Sequence, residues 1–301
     1  MTSIWAYSLG RRYGKKWGLK DASFEVSEGE LAVLAGPNGA GKTTTVRILA
    51  TILKPSKGEA RVLGYDVVKE FKEIRKRIAY MPQGYRGSTN LTPYEAVKWN
   101  LVARGWSFRK ASAQAEKWLK LLGLWEDRNK TGWALSGGQR VRVAVAATLA
   151  CNADVIFLDE PTVGLDVDVK HAVWRAIREI VSGGASVLLT THDMYEAEIL
   201  ADQVIFLFNG KTIVAEEPQK LVELLPYRYK VAVKGKELLK NIDVEDKIDL
   251  GDRAIVYAKS EREAIRLIEE IGFYRESLSI SRVGLEDVFY FFTKRRGGIN
   301  V

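Results

Sequence analysis

The chain has 301 residues, 47% of them hydrophobic and 28% charged, which excludes a disordered or fibrous protein and leaves room for one large domain with a smaller companion. Its net charge of +8 suits nucleic acid, an anionic membrane surface or a polyphosphate ligand, but acidic residues are interspersed throughout, so charge alone decides little. No run approaches the roughly eighteen apolar residues of a spanning helix, the N-terminus has no secretory pattern, and the lone Cys151 excludes an internal disulfide and fits a reducing cytosol.

In chain order, the first third reads as short strands around one strand-loop-helix unit. Ser23 to Val26 alternates, Glu30 to Ala35 is an apolar run, and Thr43 to Leu53 has helix spacing before Pro55. Gly58 to Leu63 reads as a further strand. From about 84 to 150 the pattern becomes helical: Tyr94 to Val102, Ala111 to Leu122 and Gln139 to Leu149. Trp99, Trp106, Trp118, Trp125 and Trp133 fall here and are expected chiefly in the core, where large rings contribute most. Strand-helix alternation returns with Val155 to Leu158, Val169 to Val181, Ser186 to Thr190, Met194 to Leu200 and Gln203 to Phe208, the signature of a mostly parallel sheet covered by helices. After Leu225-Pro226, strands at Tyr229 to Val233, Ala254 to Lys259 and Ser277 to Val283 with helices at Glu261 to Ile271 and Leu285 to Lys294 describe a small α+β domain over 226–301.

The stretch "GPNGAGKT" from Gly36 to Thr43 lies between a predicted strand and a predicted helix. Gly36, Pro37, Asn38, Gly39, Ala40 and Gly41 form a loop whose glycines let backbone amides approach phosphate oxygens, and the helix N-terminus behind them favours anions. Lys42 reaches toward β and γ phosphates, the Thr43 hydroxyl suits Mg²⁺, and Thr44 follows in the first helical turn.

Farther along, "VIFLDEP" ends an apolar strand in Asp159-Glu160, at the strand end where α/β proteins bind ligands. Asp159 suits a Mg²⁺ shell and Glu160 can orient or deprotonate an attacking water. Of two histidines, His192 follows "SVLLTT" at another strand end and suits the γ phosphate; His171 sits on the polar side of its helix and receives no role. "LSGGQ", Leu135 to Gln139, holds no acid, base or nucleophile and reads alone as a helix-opening turn.

In order and separation, "GPNGAGKT", "MPQ", "LSGGQ", "VIFLDEP", "GLD" and "TTHD" resemble the nucleotide-binding subunit of an ATP-binding cassette (ABC) transporter over about 4–225. The resemblance implies a P-loop NTPase core with a mostly parallel sheet, an antiparallel β subdomain and a helical subdomain. It implies ATP and Mg²⁺ as cofactors and a head-to-tail dimer, homodimer or heterodimer with another such ATPase, around two ATP. Gln83 matches the glutamine that reaches Mg²⁺ and the attacking water; Tyr13 matches the aromatic that stacks on adenine, with Trp17 and Trp5 as competitors. Ser136, Gly137, Gly138 and Gln139 match the signature that meets ATP held by the opposite subunit, and Asp166 the loop that links the two sites. Ala147, Ala153 and Val167 depart from common family residues away from any expected ligand contact. The tail "LEDVFYFFTKR" resembles that of exporters of drugs, lipids or polysaccharides. The function implied is ATP hydrolysis powering a separate membrane permease from the cytoplasmic face, with no nucleic acid expected; a soluble ABC ATPase acting on nucleic acid or ribosomes is the alternative.

Overall fold

A computed structural model describes residues 1–84, 89–234, 247–249, 251–271 and 278–296. The chain forms two compact units, Met1–Glu216 and Glu217–Val301.

The first unit is built on a ten-stranded sheet. Its centre is β3 (Leu31–Ala35), flanked in parallel by β8 (Ser186–Thr191) and β9 (Gln203–Phe208), with β7 (Val155–Asp159) and β6 (Ile78–Met81) continuing beyond β8. Every residue of β3, β7 and β8 is buried, as expected of parallel strands covered on both faces. Three neighbouring strands, β3, β8 and β7, therefore end side by side, and the segments leaving them carry the phosphate-type loop, His192 and Asp159-Glu160.

On the other side of β9, the antiparallel β10 (Lys211–Glu216) leads to a hairpin of β1 (Thr2–Tyr13) and β2 (Lys16–Ser27), edged by β4 (Lys57–Val62) and β5 (Tyr65–Asp66). Helix α1 (Lys42–Leu49) follows the loop and ends before the Leu53 expected from periodicity, because the chain turns at Ala50 and Thr51 takes φ +62°. A short α2 (Phe71–Arg77) leads into β6.

The helical part comprises α3 (Pro93–Ala103), α4 (Phe108–Leu121) and α5 (Gly137–Leu149), with α3 packed on both others. α3 starts at a complete capping box between Thr92 and Glu95. The tryptophans correct the expectation of core packing. Trp118 is buried at 2% exposure, but Trp99 is 44% and Trp133 71% exposed, and Trp106 and Trp125 are half-buried. α6 (Val167–Ser182) and α7 (Met194–Leu200) complete the alternation.

In the second unit α8 (Pro218–Glu223) precedes an antiparallel sheet in the order β12 (Lys247–Asp249), β13 (Arg253–Ala258), β11 (Tyr229–Lys234), β14 (Leu278–Arg282). Ser277, expected to open the last strand, lies outside the described residues. α9 (Glu261–Ile271) packs Ala264 and Leu267 onto Val231, Val233 and Val256. On α10 (Leu285–Arg296), the buried Asp287 accepts from Tyr257 at 2.8 Å and pairs with Lys230 at 2.7 Å.

Candidate nucleotide-binding site

The loop between β3 and α1 owes its shape to close approach. A Cβ on Gly36 would lie 2.1 Å from the Leu207 carbonyl oxygen, and Gly41 holds φ +109° with its own Cβ position 2.8 Å from the Gly18 carbonyl. Only glycine fits either place. No side chain caps α1, so its first amides remain available to an anion. Asn38, Gly39, Gly41, Lys42, Thr43 and Thr44 line a cleft of about 330 Å³, closed on another side by Gln83 and Glu160. Elsewhere in the same loop Pro37 is exposed and Ala40 is buried.

Lys42 is only 5% exposed. Its Nζ donates to the carbonyls of Gly36 at 2.7 Å and Pro37 at 3.1 Å and lies 3.6 Å from Glu160 Oε1. Burial pushes its pKa below the usual lysine value, while Glu160 and Asp159 pull the other way. A polyphosphate would favour the charged ammonium.

Asp159 is completely buried. Its Oδ1 accepts from Thr190 at 2.6 Å and lies 3.1 Å from the Thr43 hydroxyl, whereas its buried Oδ2 has no hydrogen-bond partner. A buried carboxylate oxygen left open beside a hydroxyl fits a hard divalent cation. The Gln83 carbonyl oxygen is 3.4 Å from the same hydroxyl, and its amide donates to Glu160 Oε2 at 3.0 Å. His192 Nδ1 stands 3.5 Å from Glu160 Oε1. Lys42, Thr43, Gln83, Asp159, Glu160 and His192, separated by up to 150 positions, thus meet in one place.

Glu160 has φ +52°, a left-handed conformation costing a non-glycine residue about 1–3 kcal/mol. Its amide is held by both the carbonyl at 3.2 Å and the hydroxyl at 3.0 Å of Thr190. Thr190 was missed in the sequence; the available signal was a hydroxyl ending the apolar run "SVLLT".

Tyr13 is 45% exposed beside the loop, with its hydroxyl 3.5 Å from Thr44 Oγ1 and its ring against Gly18. The competitors stand elsewhere: Trp17 lies under Lys57, and Trp5 stacks on Tyr7. Of the three rings, Tyr13 is the one placed against Thr44 in the first turn of α1.

The signature residues do not join the cleft. Leu135 is buried, the Ser136 hydroxyl accepts from the Gln139 amide at 3.1 Å, and Gln139 returns a bond to the Ser136 amide at 2.8 Å. The Gln139 side chain also donates to Asp127 at 2.6 Å, which holds it in place. Around Gly137, by contrast, a Cβ would meet nothing within 4 Å. Asp166 begins α6, exposed and without a side-chain capping bond, and also lies outside the residues lining the cleft. His171 is exposed, its ring 5.1 Å from that of Trp174.

Against known proteins, the family described as "ABC transporter" matches residues 19–163. "Daunorubicin resistance ATP-binding protein DrrA2" of Streptomyces coeruleorubidus is 32% identical over 312 residues, covering 98% of this chain and 96% of that protein. The chain belongs to the ATP-binding subunits of ABC transporters. "Nod factor export ATP-binding protein I" of Ralstonia nicotianae is 36% identical over 218 residues, 71% of this chain and 67% of that one. Among solved structures, the dimeric ATP-binding cassette MJ0796 in a post-hydrolysis state with ADP and Pi superimposes with a TM-score of 0.65 at 27% identity, covering 71% of this chain and 98% of that chain. A second family, described as "AAA domain, putative AbiEii toxin, Type IV TA system", matches residues 132–198. As an ABC subunit this chain binds and hydrolyses ATP, and it has the P-loop fold expected from its motifs. Among the described residues no helix is long and apolar enough to cross a membrane.

Proposed function

We propose that this ATPase pairs with a second copy, or with a similar subunit, around two ATP molecules and drives export through a separate integral-membrane permease on the cytoplasmic face. Relatives named for daunorubicin resistance and Nod factor export support the exporter reading. The observation that carries the mechanism is the convergence of Lys42, Thr43, Gln83, Asp159, Glu160 and His192 on one cleft.

In this reading the α1 amides and Lys42 hold the β and γ phosphates, and Tyr13 stacks on adenine. Thr43, Asp159 and Gln83 would hold Mg²⁺, which neutralises phosphate charge. Glu160 accepts a proton from a water oriented with Gln83; that water's oxygen bonds the γ phosphorus, and the bridge to the β phosphate breaks to leave ADP and phosphate. His192 donates to a γ-phosphate oxygen. Ser136, Gly137 and Gly138 of one subunit grip the γ phosphate bound by the other, and Asp166 relays between the sites. Asn38, Gly39 and Gln139 shape these phosphate contacts.

Glu160→Gln keeps the hydrogen-bonding shape while removing the base. It should lower steady-state ATP turnover at least about 100-fold while retaining ATP. Turnover near the unmodified rate would contradict the role given to Glu160.

A further inference from the structure

Glu196, on the first turn of α7, is 1% exposed. Its Oε1 accepts from the Thr162 hydroxyl at 2.6 Å and from the Trp174 indole at 2.8 Å, while its buried Oε2 has no hydrogen-bond partner. A buried acid with one unsatisfied oxygen is costly, and an apolar side chain would fill the position with less desolvation but without an oxygen to accept from Thr162 and Trp174.

Its partners give the position meaning. Thr162, 2% exposed, is two residues beyond Glu160; Glu196 is four beyond His192; Trp174 lies on α6, whose first turn follows Asp166. Glu160 enters its left-handed conformation with its amide pinned to Thr190, and Pro161 leads directly to Thr162. The hydroxyl bond to Glu196 therefore fixes the chain on the far side of the strained residue. One turn away, Asp193 binds the amides of Tyr195 and Glu196 at 3.1 and 3.2 Å and pairs with Lys170 of α6 at 3.1 Å. Asp193 ties α7 to α6; Glu196 ties both helices to the loop that carries Glu160.

We propose that Glu196 is a positioning residue for ATP hydrolysis, holding Glu160 through Thr162 and yoking it to the segment that presents His192. The proposal rests on the hydrolytic roles given above to Glu160 and His192. It does not place Glu196 in contact with nucleotide.

The test measures kcat, KM and equilibrium ATP binding for Thr162→Val, Glu196→Gln and Glu196→Ala. Thr162→Val, which removes only one hydroxyl, should lower kcat about ten-fold, the scale of a lost hydrogen bond to a charged group. Glu196→Ala should lower it about 100-fold through misplacement of the reacting groups. Glu196→Gln, which keeps the accepting oxygen, should recover to within about three-fold of the unmodified chain, with KM and ATP affinity moving less than about two-fold throughout. If Glu196→Ala does not fold, Thr162→Val carries the test. In a Glu160→Gln background, Thr162→Val should cost nothing further, because both act through the same group. An additive loss there, or an unchanged kcat in Thr162→Val while Glu160→Gln is inactive, overturns the positioning role alone. An active Glu160→Gln overturns the reading beneath it and the proposal with it.

Discussion

The phosphate cleft and the start of α5, which we propose meets ATP held by a partner subunit, are built in opposite ways. In the cleft, groups that follow β3, β7 and β8 bind one another: Lys42 has three oxygen neighbours within 3.6 Å, and Asp159 binds Thr190 and faces Thr43, with one oxygen left open. At the signature the bonds within the chain are spent on capping, and Gly137 faces open space. The comparison teaches that charge and burial mark a site that one chain builds for itself. At Gly137, as at Gly39 in the cleft, the open surroundings leave room for a group from outside the chain.

The sharpest way to break this contrast is Gly137→Leu. Since a Cβ there meets nothing, and leucine favours a helix over glycine by up to about 1 kcal/mol, the melting temperature should hold or rise. Turnover should nevertheless fall about 100-fold, the scale of losing one preorganised phosphate donor, with ATP binding by the single chain intact. A loss of ATP binding, or a drop in melting temperature with turnover preserved, would break the division between the two regions.

A smaller effect comes from Asp193, the residue after His192, where charge also contributes stability. Burial raises the Asp193 pKa, but bonds from the Glu196 and Tyr195 amides and the pair with Lys170 outweigh it and hold the group below its usual 3.8. A depressed carboxylate stabilises the fold above its unfolded pKa and loses that contribution as pH falls through the folded one. Asp193→Ala should thus cost about 1 kcal/mol at neutral pH, and the difference from the unmodified chain should shrink below about pH 4. Chemical denaturation across pH checks the sign; a difference that grows in acid would contradict it.

The sequence made the parallel core legible because its strands are short runs with apolar centres; β9, α7 and α9 begin and end where periodicity placed them. Of the β1–β2 hairpin only Ser23 to Val26 was legible; its register shifts between Ala6 and Leu9 and elsewhere, so the alternation that marks a half-buried strand is broken repeatedly. The motif residues of the cleft were legible through their order. Their supports were less so: Thr190 reads as part of a strand, and Glu196 only as one position of a helix. A signal for Glu196 did exist, since it precedes the buried Leu200 by four residues and thus occupies the inward stripe of α7. The exposed tryptophans mislead for the converse reason, because aromatic content records apolar area without saying which side of a helix carries it.

The central claim is that each hydrolytic site joins the cleft of one chain to the signature of another. Mixing Lys42→Ala chains with Gly137→Leu chains tests it most directly. Each variant alone should be inactive, whereas a mixed pair contains one intact site, formed by the cleft of the second chain and the signature of the first. ATP turnover should reappear on mixing, at about a quarter of the unmodified rate per chain if the chains pair at random. A mixture as inactive as its parts, with mixed dimers shown to form, would contradict it.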